Sequence, residues 1–248
     1  RMAAVHPEPP PAPRELTTTM QAELPHATPA RHVLREARAK MLFSAWFSSD
    51  TGILATGSLV DKEVALWDLR TGFRWVGVTR GGPVYWTDRS PERGARQFAV
   101  AAGDGLGVYS ICADHGAPCL LQWEAQALAG HKVSALSYSP DGQHLVVVRS
   151  DDGCVMAFRA SDGELLASME GRDAGWQALS MHPMFKVGWQ GGLSCSQDAV
   201  AVVSRCQTND GSGEFDRCVK ILSLPSLVEM ATVQLPLSGA ACSLSEDG

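Results

Sequence analysis

The residues that could support catalysis are few and widely spaced along the chain. His131, Ser150 and Asp152 are the residue types of a hydrolase triad, in which a serine attacks an acyl carbon and a histidine takes its proton. Such a site also needs an exposed nucleophile, and the sequence has no G-x-S-x-G turn to present one. We therefore expect no catalytic residues, and we expect His131 and Asp152 to have a structural role.

Two glycine-rich stretches could bind a phosphate group or a metal ion. The first, GDGLG (103–107), would have to open a helix in order to hold a phosphate, but the residues that follow it are typical of a strand. The second, NDGSGEFD (209–216), spaces oxygen atoms somewhat like a calcium loop, but it lacks the Asp-x-Asp start and the final bidentate glutamate. The sequence therefore predicts neither a cofactor nor a metal.

Composition limits the partners that the protein could bind. The net charge is −6 and only 19% of residues are charged, which argues against a nucleic-acid-binding surface. The sequence has neither an apolar run near 18 residues nor the apolar stretch of a secretory signal, so we expect no membrane association. The seven cysteines are odd in number and form no C-x-x-C pair, which favours free thiols in the cytoplasm or nucleus.

The elements that would position these residues are repeated along the chain. Segments 48–72 and 139–163 align without a gap, and matched residues lie 91 positions apart (141 − 50 = 91). Half of this spacing is about 45 residues, the length of a four-stranded propeller blade. The matched pairs are Asp50 with Asp141, Leu54 with Leu145, Asp61 with Asp152, Trp67 with Phe158, and Gly72 with Gly163.

Weaker copies of the same pattern occur elsewhere. Residues 98–111 supply two strands between the two clear copies, and 193–204 with 215–224 form a further copy around an insertion at 205–214. In that copy Asp216 stands six residues before Leu222, as Asp61 stands six residues before Trp67. The last residues, 241–248, resemble the first strand of another copy.

This pattern resembles the WD-repeat family. The resemblance covers about residues 41–248 and rests on Gly130-His131, SYSPDG (137–142), Asp61 to Trp67-Asp68, and Asp152 to Phe158. It implies an all-β, WD-type propeller in which His131 and Asp152 form a buried hydrogen bond between a blade edge and a turn. It also implies that seven side chains hold structural positions in the blades: Asp61, Trp67, Asp68, His131, Asp152, Phe158 and Asp216.

The resemblance also gives a domain organisation. We expect a disordered Pro/Ala-rich tail at 1–28, then at 29–40 either a short helix or a strand of a preceding blade, and then a partial propeller at 41–248. Seven blades are usual in the family, so we expect this chain to be a fragment of a longer protein. The expected blades are 41–80, 81–129, 130–171 and 172–236, with the start of a fifth at 237–248.

The stretch YWTD (85–88) is the signature of a different, extracellular propeller family. In that family the motif recurs in every blade, whereas here it occurs once. We therefore interpret it as part of the first strand of the second blade.

A propeller fixes many loops on one rim, so we expect a non-enzymatic scaffold that binds other proteins as a subunit or adaptor of a complex. The loops at 87–97, 172–190 and 205–215 are the expected contact regions, and arginines and large apolar residues are the side chains that usually dominate such contacts. The candidate contact residues are Arg70, Arg89, Arg93, Trp176, Phe185 and Trp189.

Two alternatives to a general scaffold stay open. The stretch VALWDLR (64–70) resembles the WDxR box of receptors that dock on the adaptor of cullin-4 RING ubiquitin ligases, with Asp61, Trp67, Asp68 and Arg70 in the matching order. This resemblance would make the protein a substrate receptor. The other alternative is a propeller enzyme, which would need acids or histidines converging on a central channel, and the sequence shows none.

Overall fold

The computed structural model describes seven ranges of the chain: 42–92, 96–103, 105–112, 116–170, 176–178, 193–207 and 215–234. All of them lie in one compact unit, Ala39–Gly248. The predicted tail (1–28), the predicted helix or strand (29–40) and the predicted start of a fifth blade (237–248) lie outside the described residues.

The first two sheets are each built from four strands that are consecutive along the chain and antiparallel. The first contains β1 (Leu42–Ser48), β2 (Ile53–Ser58), β3 (Glu63–Asp68) and β4 (Arg74–Thr79). The second contains β5 (Val84–Arg89), β6 (Gln97–Ala102), β7 (Gly105–Ser110) and β8 (Leu120–Glu124). The YWTD stretch lies in β5, the first strand of the second sheet, as predicted.

The third sheet repeats this order after a one-turn 3₁₀ helix at Gln126–Leu128, and the fourth varies it. The third contains β9 (Val133–Tyr138), β10 (His144–Arg149), β11 (Val155–Arg159) and β12 (Leu165–Met169). The fourth contains β13 (Trp176–Ala178), β14 (Leu193–Cys195), β15 (Ala199–Gln207), β16 (Phe215–Ser223) and β17 (Glu229–Gln234). The short strands β13 and β14 pair with opposite halves of β15.

The repeated residues hold equivalent places in the first and third sheets. Leu54 pairs across the strands with Trp67, and Leu145 pairs in the same way with Phe158. Gly72 and Gly163 both have a positive φ, 73° and 77°, at the turn that follows the third strand. The all-β blade architecture that the 91-residue spacing predicts is therefore confirmed.

Apolar side chains on both faces of the middle strands hold neighbouring sheets together. Runs such as Val64–Leu66 and Leu145–Val148 are buried throughout, which is the pattern of a strand covered on both faces. Between the first and second sheets the largest buried side chains are Trp46, Leu66, Trp75, Phe98 and Tyr109. Between the second and third they are Leu106, Leu128, Tyr138, Leu145 and Phe158. Between the third and fourth the buried side chains include Val146, Val155, Val200, Leu222 and Leu227.

The first strand of each sheet lies on the inside of this stack. Strand β1 contacts β5, β5 contacts β9, and β9 contacts β14, whereas the outermost strands β8 and β17 are largely exposed. This radial order, with neighbouring first strands in contact, is the arrangement of propeller blades.

A partly buried carboxylate joins the inner strands of the second and third sheets. Asp88 Oδ2 accepts a hydrogen bond of 2.9 Å from the Tyr138 backbone N–H, and its Oδ1 accepts one of 2.8 Å from the Arg89 N–H. Burial raises the pKa of Asp88 to about 6, although the two hydrogen bonds act to lower it. The link between these blades therefore depends on a group that titrates in mildly acidic solution.

The cysteines depart from the predicted pattern. Cys112, Cys119, Cys154 and Cys195 are free thiols, whereas Cys218 in β16 is disulfide-bonded. The prediction that the cysteines are free is therefore wrong at Cys218. Strand pairing brings thiols together that are apart in sequence, so their spacing alone could not reveal this bond.

Phe158 and its cross-strand partner Leu165 allow a matched test of the packing between blades. The Phe158 side chain is 1% exposed and Leu165 is 41% exposed. We expect Phe158→Ala to lower the free energy of unfolding by about 3–5 kcal/mol, because it leaves a cavity between two sheets. We expect Leu165→Ala to change it by roughly 0.5 kcal/mol or less. Urea unfolding followed by circular dichroism measures both, and equal losses would contradict the proposed packing.

Asp88→Asn tests the Asp88 carboxylate, because asparagine keeps the size and one acceptor oxygen but does not ionise. Folded Asp88 takes up its proton near pH 6, against about 3.9 in an unfolded chain, so between these values the folded state holds more protons. The wild type should therefore lose stability relative to Asp88→Asn as the pH rises from about 4 to about 6. Parallel unfolding curves at several pH values measure the difference, and a difference independent of pH would contradict the assignment.

Candidate functional site

Turns that leave the sheets at the same end form one rim of the blades. In a sheet of consecutive antiparallel strands, the connections from first to second strand and from third to fourth leave at the same end. We call this end the first rim, and the opposite end the second rim. The described residues of the first rim are 49–52, 69–73, 90–92, 96, 111–112, 116–119, 139–143, 160–164, 196–198 and 224–228.

A buried aspartate shapes the turn of the first rim that follows β3. Asp68 Oδ1 accepts hydrogen bonds from the backbone N–H groups of Arg70, at 2.8 Å, and Thr71, at 3.3 Å. Burial acts to raise the pKa of Asp68, but these hydrogen bonds and the Arg70 charge outweigh it, so the pKa lies below its usual value. The ionised carboxylate therefore fixes the backbone of the turn.

Arg70 projects from this fixed turn into solvent. Its side chain is 83% exposed, and its Nη2 atom lies 3.7 Å from Asp68 Oδ2. At this distance the ion pair of a mostly exposed arginine contributes little to stability. The backbone of Arg70 is thus fixed by the turn, and its guanidinium group is presented to solvent.

The turn that follows β1 joins Arg70's turn to the second blade. The Leu69 N–H donates to the Gly52 carbonyl at 2.9 Å, which connects the two turns of the first blade. Arg89 Nη2, at the end of β5, donates to Asp50 Oδ2 at 2.8 Å. The Arg89 side chain is only 16% exposed, so it braces two blades against each other and presents little surface to a partner.

The second and third blades also meet on the first rim. Gly142 has a φ of 72°, and a Cβ atom added there would lie 3.3 Å from Ser90 Oγ. Glycine therefore allows the connection of the second blade to rest on the turn of the third. In that turn Asp141 Oδ1 accepts hydrogen bonds from Ser139 Oγ at 2.6 Å and from the Gln143 N–H at 3.0 Å.

Two exposed aromatic residues flank the turns of the first blade and were missed by sequence reasoning. Phe47, near the end of β1, is 54% exposed, and Phe73, which follows the Asp68 turn, is 50% exposed and stacks on Trp75 at 6.1 Å. The sequence carries a signal for Phe47, because the buried Trp46 beside it forces Phe47 onto the opposite face of the strand. Nothing comparable marks Phe73.

The second rim corrects one prediction from the sequence. His131 Nδ1 lies 2.6 Å from Asp151 Oδ2, in a partly exposed pair, and does not form the predicted buried hydrogen bond with Asp152. Asp152 instead binds the Arg149 guanidinium and accepts the Cys154 N–H at 3.0 Å. Asp151 is one residue closer to the start of the turn and pairs with His131. Asp152 is paired with the Arg149 guanidinium instead.

The remaining structural positions have different outcomes. Asp61 Oδ2 accepts a hydrogen bond from Ser58 Oγ at 2.7 Å, which closes the turn between β2 and β3. Trp67 is buried, and its Nε1–H donates to Thr56 Oγ1 at 3.1 Å. Asp216 lies in β16, opposite Cys206 of β15, rather than in a turn, because β15 extends into the predicted insertion as far as Gln207 and β16 begins at Phe215.

Several candidate contact residues cannot be placed on either rim. Arg93, Phe185 and Trp189 lie outside the described residues. Trp176 begins β13, and its backbone is opposite Cys206 of β15. Of the six candidates, the structure therefore brings Arg70 and Arg89 to the same rim.

The residues considered for catalysis are engaged in turns. Ser150 Oγ donates to the Lys132 carbonyl at 3.2 Å, while His131 pairs with Asp151. Within the described ranges, no three His, Cys, Asp or Glu side chains are grouped so that they could hold a metal ion. Over the same ranges, no helix is both long and apolar enough to cross a membrane.

Comparison with known proteins agrees with this geometry. The family model described as "WD domain, G-beta repeat" matches residues 123–158, which run from the end of β8 to Phe158 in β11. No curated protein sequence matches the chain.

Among the solved structures that are similar to the chain, two share 16% sequence identity with it. Hydrazine synthase of Kuenenia stuttgartiensis has a TM-score of 0.56 over 84% of this chain and 53% of that one. The β-propeller domain of Cps50 (Swd1) from Myceliophteria thermophila has a TM-score of 0.46 over 83% of this chain and 77% of that one. The chain spans about half the length of the hydrazine synthase chain, and at this identity the likeness concerns the fold alone.

The matched repeat coincides with the third sheet, which shares its strand order with the first two, and the sheets stack through apolar faces in the manner of blades. The chain contains a WD repeat, at residues 123–158, within a set of β-propeller blades.

Proposed function

We propose that this protein is a non-enzymatic scaffold that binds other proteins at its first rim, as a subunit or adaptor of a complex. WD-repeat propellers in general mediate protein–protein interactions, and the assignment of a scaffold function rests on the family match. The observation that carries the choice of rim is the 83% exposed Arg70 side chain on a turn fixed by the buried Asp68.

Rigidity is the physical reason why this turn would make an effective contact. Binding is weakened by the entropy lost when loops and side chains become ordered, and a turn held by hydrogen bonds has less to lose. Arginine is also among the residues that most often dominate the energy of protein interfaces. A partner carboxylate could bind the Arg70 guanidinium in a bidentate manner.

The exposed aromatic residues extend the proposed contact. Phe47 and Phe73 flank the turns of the first blade and are each at least half exposed, so covering them would remove apolar surface from water. Arg89 has a supporting role in this proposal, because its ion pair with Asp50 braces the rim. Arg93, Trp176, Phe185 and Trp189 stay candidate contacts on the basis of the sequence.

A substrate receptor for a cullin-4 RING ubiquitin ligase is the second candidate. The specific observation in its favour is again Arg70, which follows Trp67-Asp68 in the order of the WDxR box and is exposed. In this version of the proposal the first-rim partner is the adaptor of the ligase. It is a narrower claim about the same surface.

A propeller enzyme is the candidate that we consider least supported. The side chains that a hydrolase would use, Ser150 and His131, are engaged in turns on the second rim. WD-repeat propellers are also in general non-enzymatic, and the similarity to hydrazine synthase concerns the fold. We propose no cofactor and no nucleic-acid or membrane partner.

We also propose an intracellular location, in the cytoplasm or nucleus. Four free cysteines fit a reducing compartment, whereas the disulfide at Cys218 would be unusual there. Alkylation of the protein directly in cell extract, followed by mass spectrometry, should find Cys112 and Cys119 blocked as thiols. Recovery only from secreted material, with these two cysteines oxidised, would contradict the location.

Arg70→Ala tests the proposed rim, with Arg159→Ala as its control. Arg159 belongs to the equivalent turn region of the third blade, but Asp162 and Glu164 hold its side chain. Removing a dominant interface arginine costs roughly 2 kcal/mol or more, so we expect Arg70→Ala to lower partner capture by about 30-fold. Affinity capture with quantitative mass spectrometry measures this, after circular dichroism shows that both variants fold. Equal capture by wild type and Arg70→Ala would rule out this part of the rim.

The ligase candidate has its own test with purified adaptor. Wild-type protein should bind the cullin-4 adaptor and Arg70→Ala should lose that binding, while Arg159→Ala should retain it. If wild-type protein does not bind the adaptor, the receptor hypothesis fails and the general scaffold proposal is unaffected.

A further inference from the structure

Two free cysteines stand at the ends of the connection between β7 and β8. Cys112 lies two residues after β7, and Cys119 directly precedes β8. Ser110 and Leu120 are paired across these strands, so the antiparallel register places position 111 opposite 119 and brings Cys112 next to both. The topology therefore holds the two residues close together.

Direct contacts show how near the two thiols are. Cys112 Sγ donates to the carbonyl of Pro118, the residue before Cys119, at 2.8 Å. In the other direction, the backbone N–H of Cys112 is hydrogen-bonded to the Cys119 thiol, and the two thiols interact electrostatically. Each sulfur thus contacts backbone at or next to the other cysteine.

Both ends of the connection are fixed to neighbouring strands. The Cys119 N–H donates to the Gly77 carbonyl of β4 at 2.7 Å, and the Ile111 N–H donates to the Arg96 carbonyl at 2.6 Å. The Cys119 side chain also packs against the apolar cluster between the first and second sheets. These contacts restrict the two thiols to each other's vicinity.

The other free cysteines are in a different situation. Cys154 and Cys195 are buried, whereas Cys112 and Cys119 are both partly exposed. A small oxidant can therefore reach the pair more easily than it can reach Cys154 or Cys195.

We propose that Cys112 and Cys119 form an oxidation site that closes to a reversible disulfide in the presence of a peroxide. The Cys112 thiolate attacks one peroxide oxygen and breaks the O–O bond, which gives a sulfenic acid and, with one proton, water. The Cys119 sulfur then attacks the sulfenic sulfur, forms the S–S bond and releases a second water. Two thiols lose two electrons and two protons, and one hydrogen peroxide is reduced to two waters.

The environment of Cys119 argues against the first of these roles, and its position allows the second. Burial first, and then the nearby Cys112 thiol, raise the pKa of Cys119 to about 12, while the Cys112 N–H acts in the opposite direction. Cys119 is thus protonated at neutral pH and is a poor first nucleophile. It is well placed to resolve a sulfenic acid that forms on Cys112, with its proton passing to the leaving hydroxide.

Peroxide treatment of the full chain tests this proposal. The tryptic peptide 97–132 contains both cysteines and no other, so a disulfide within it makes the peptide lighter by two hydrogens and blocks alkylation. We expect this product after peroxide and its loss after dithiothreitol, with Cys154 and Cys195 still alkylated as thiols once the chain is denatured. A peptide 97–132 that carries two alkyl groups after peroxide would overturn the proposal.

Single variants and an unfolded control separate this mechanism from simple proximity in sequence. Cys119→Ser should stop at a sulfenic acid on Cys112 that dimedone traps, and Cys112→Ser should give neither product, while Cys154→Ser should behave as the wild type. Because the fold holds the thiols together, the disulfide should form about 10-fold faster in the native chain than in urea. Equal rates would show that the structure makes no contribution and would also overturn the proposal.

Discussion

Covering the two apolar faces of each sheet is the constraint on which the structure depends. A strand such as Leu145–Val148 is buried on both sides, so its sheet cannot stand alone in water and needs a neighbour on each face. Three clusters of buried side chains cover the faces where consecutive sheets meet. Stacking then fixes the radial order, with first strands inside and fourth strands outside, and it fixes which turns share a rim.

The repeated positions of the fold could be predicted from the sequence because they repeat a physical arrangement. The 91-residue spacing matched Leu54 with Leu145 and Trp67 with Phe158, and the structure shows these as the same cross-strand pair in two blades. Turn glycines such as Gly72 and Gly163 were recognisable for the same reason, since their backbone adopts a conformation that other residues disfavour. Pattern reasoning succeeds where the local geometry is the same in every copy.

Contacts between copies could not be predicted in this way. The hydrogen bond from Tyr138 to Asp88 joins residues 50 positions apart, and no repeat position marks it. The partner of His131 was wrong by one residue, because neighbouring aspartates are equivalent in a pattern but face different groups in a turn. At the candidate site the sequence identified Arg70, but its exposure and the support of Asp68 follow from three-dimensional packing.

The inner strand of the fourth blade is divided into β13 and β14. This division separates the length of the chain from the pairing of the strands, two properties that are usually coupled in a propeller. The chain leaves β13 at Ala178 and returns at Leu193, yet β13 and β14 both pair with the nine-residue β15, which continues past both of them. The length of the intervening sequence is therefore independent of the hydrogen-bonded ladder. Evolution can lengthen, shorten or replace that segment without a change in blade number, and a protein engineer could use the same seam to install a foreign module.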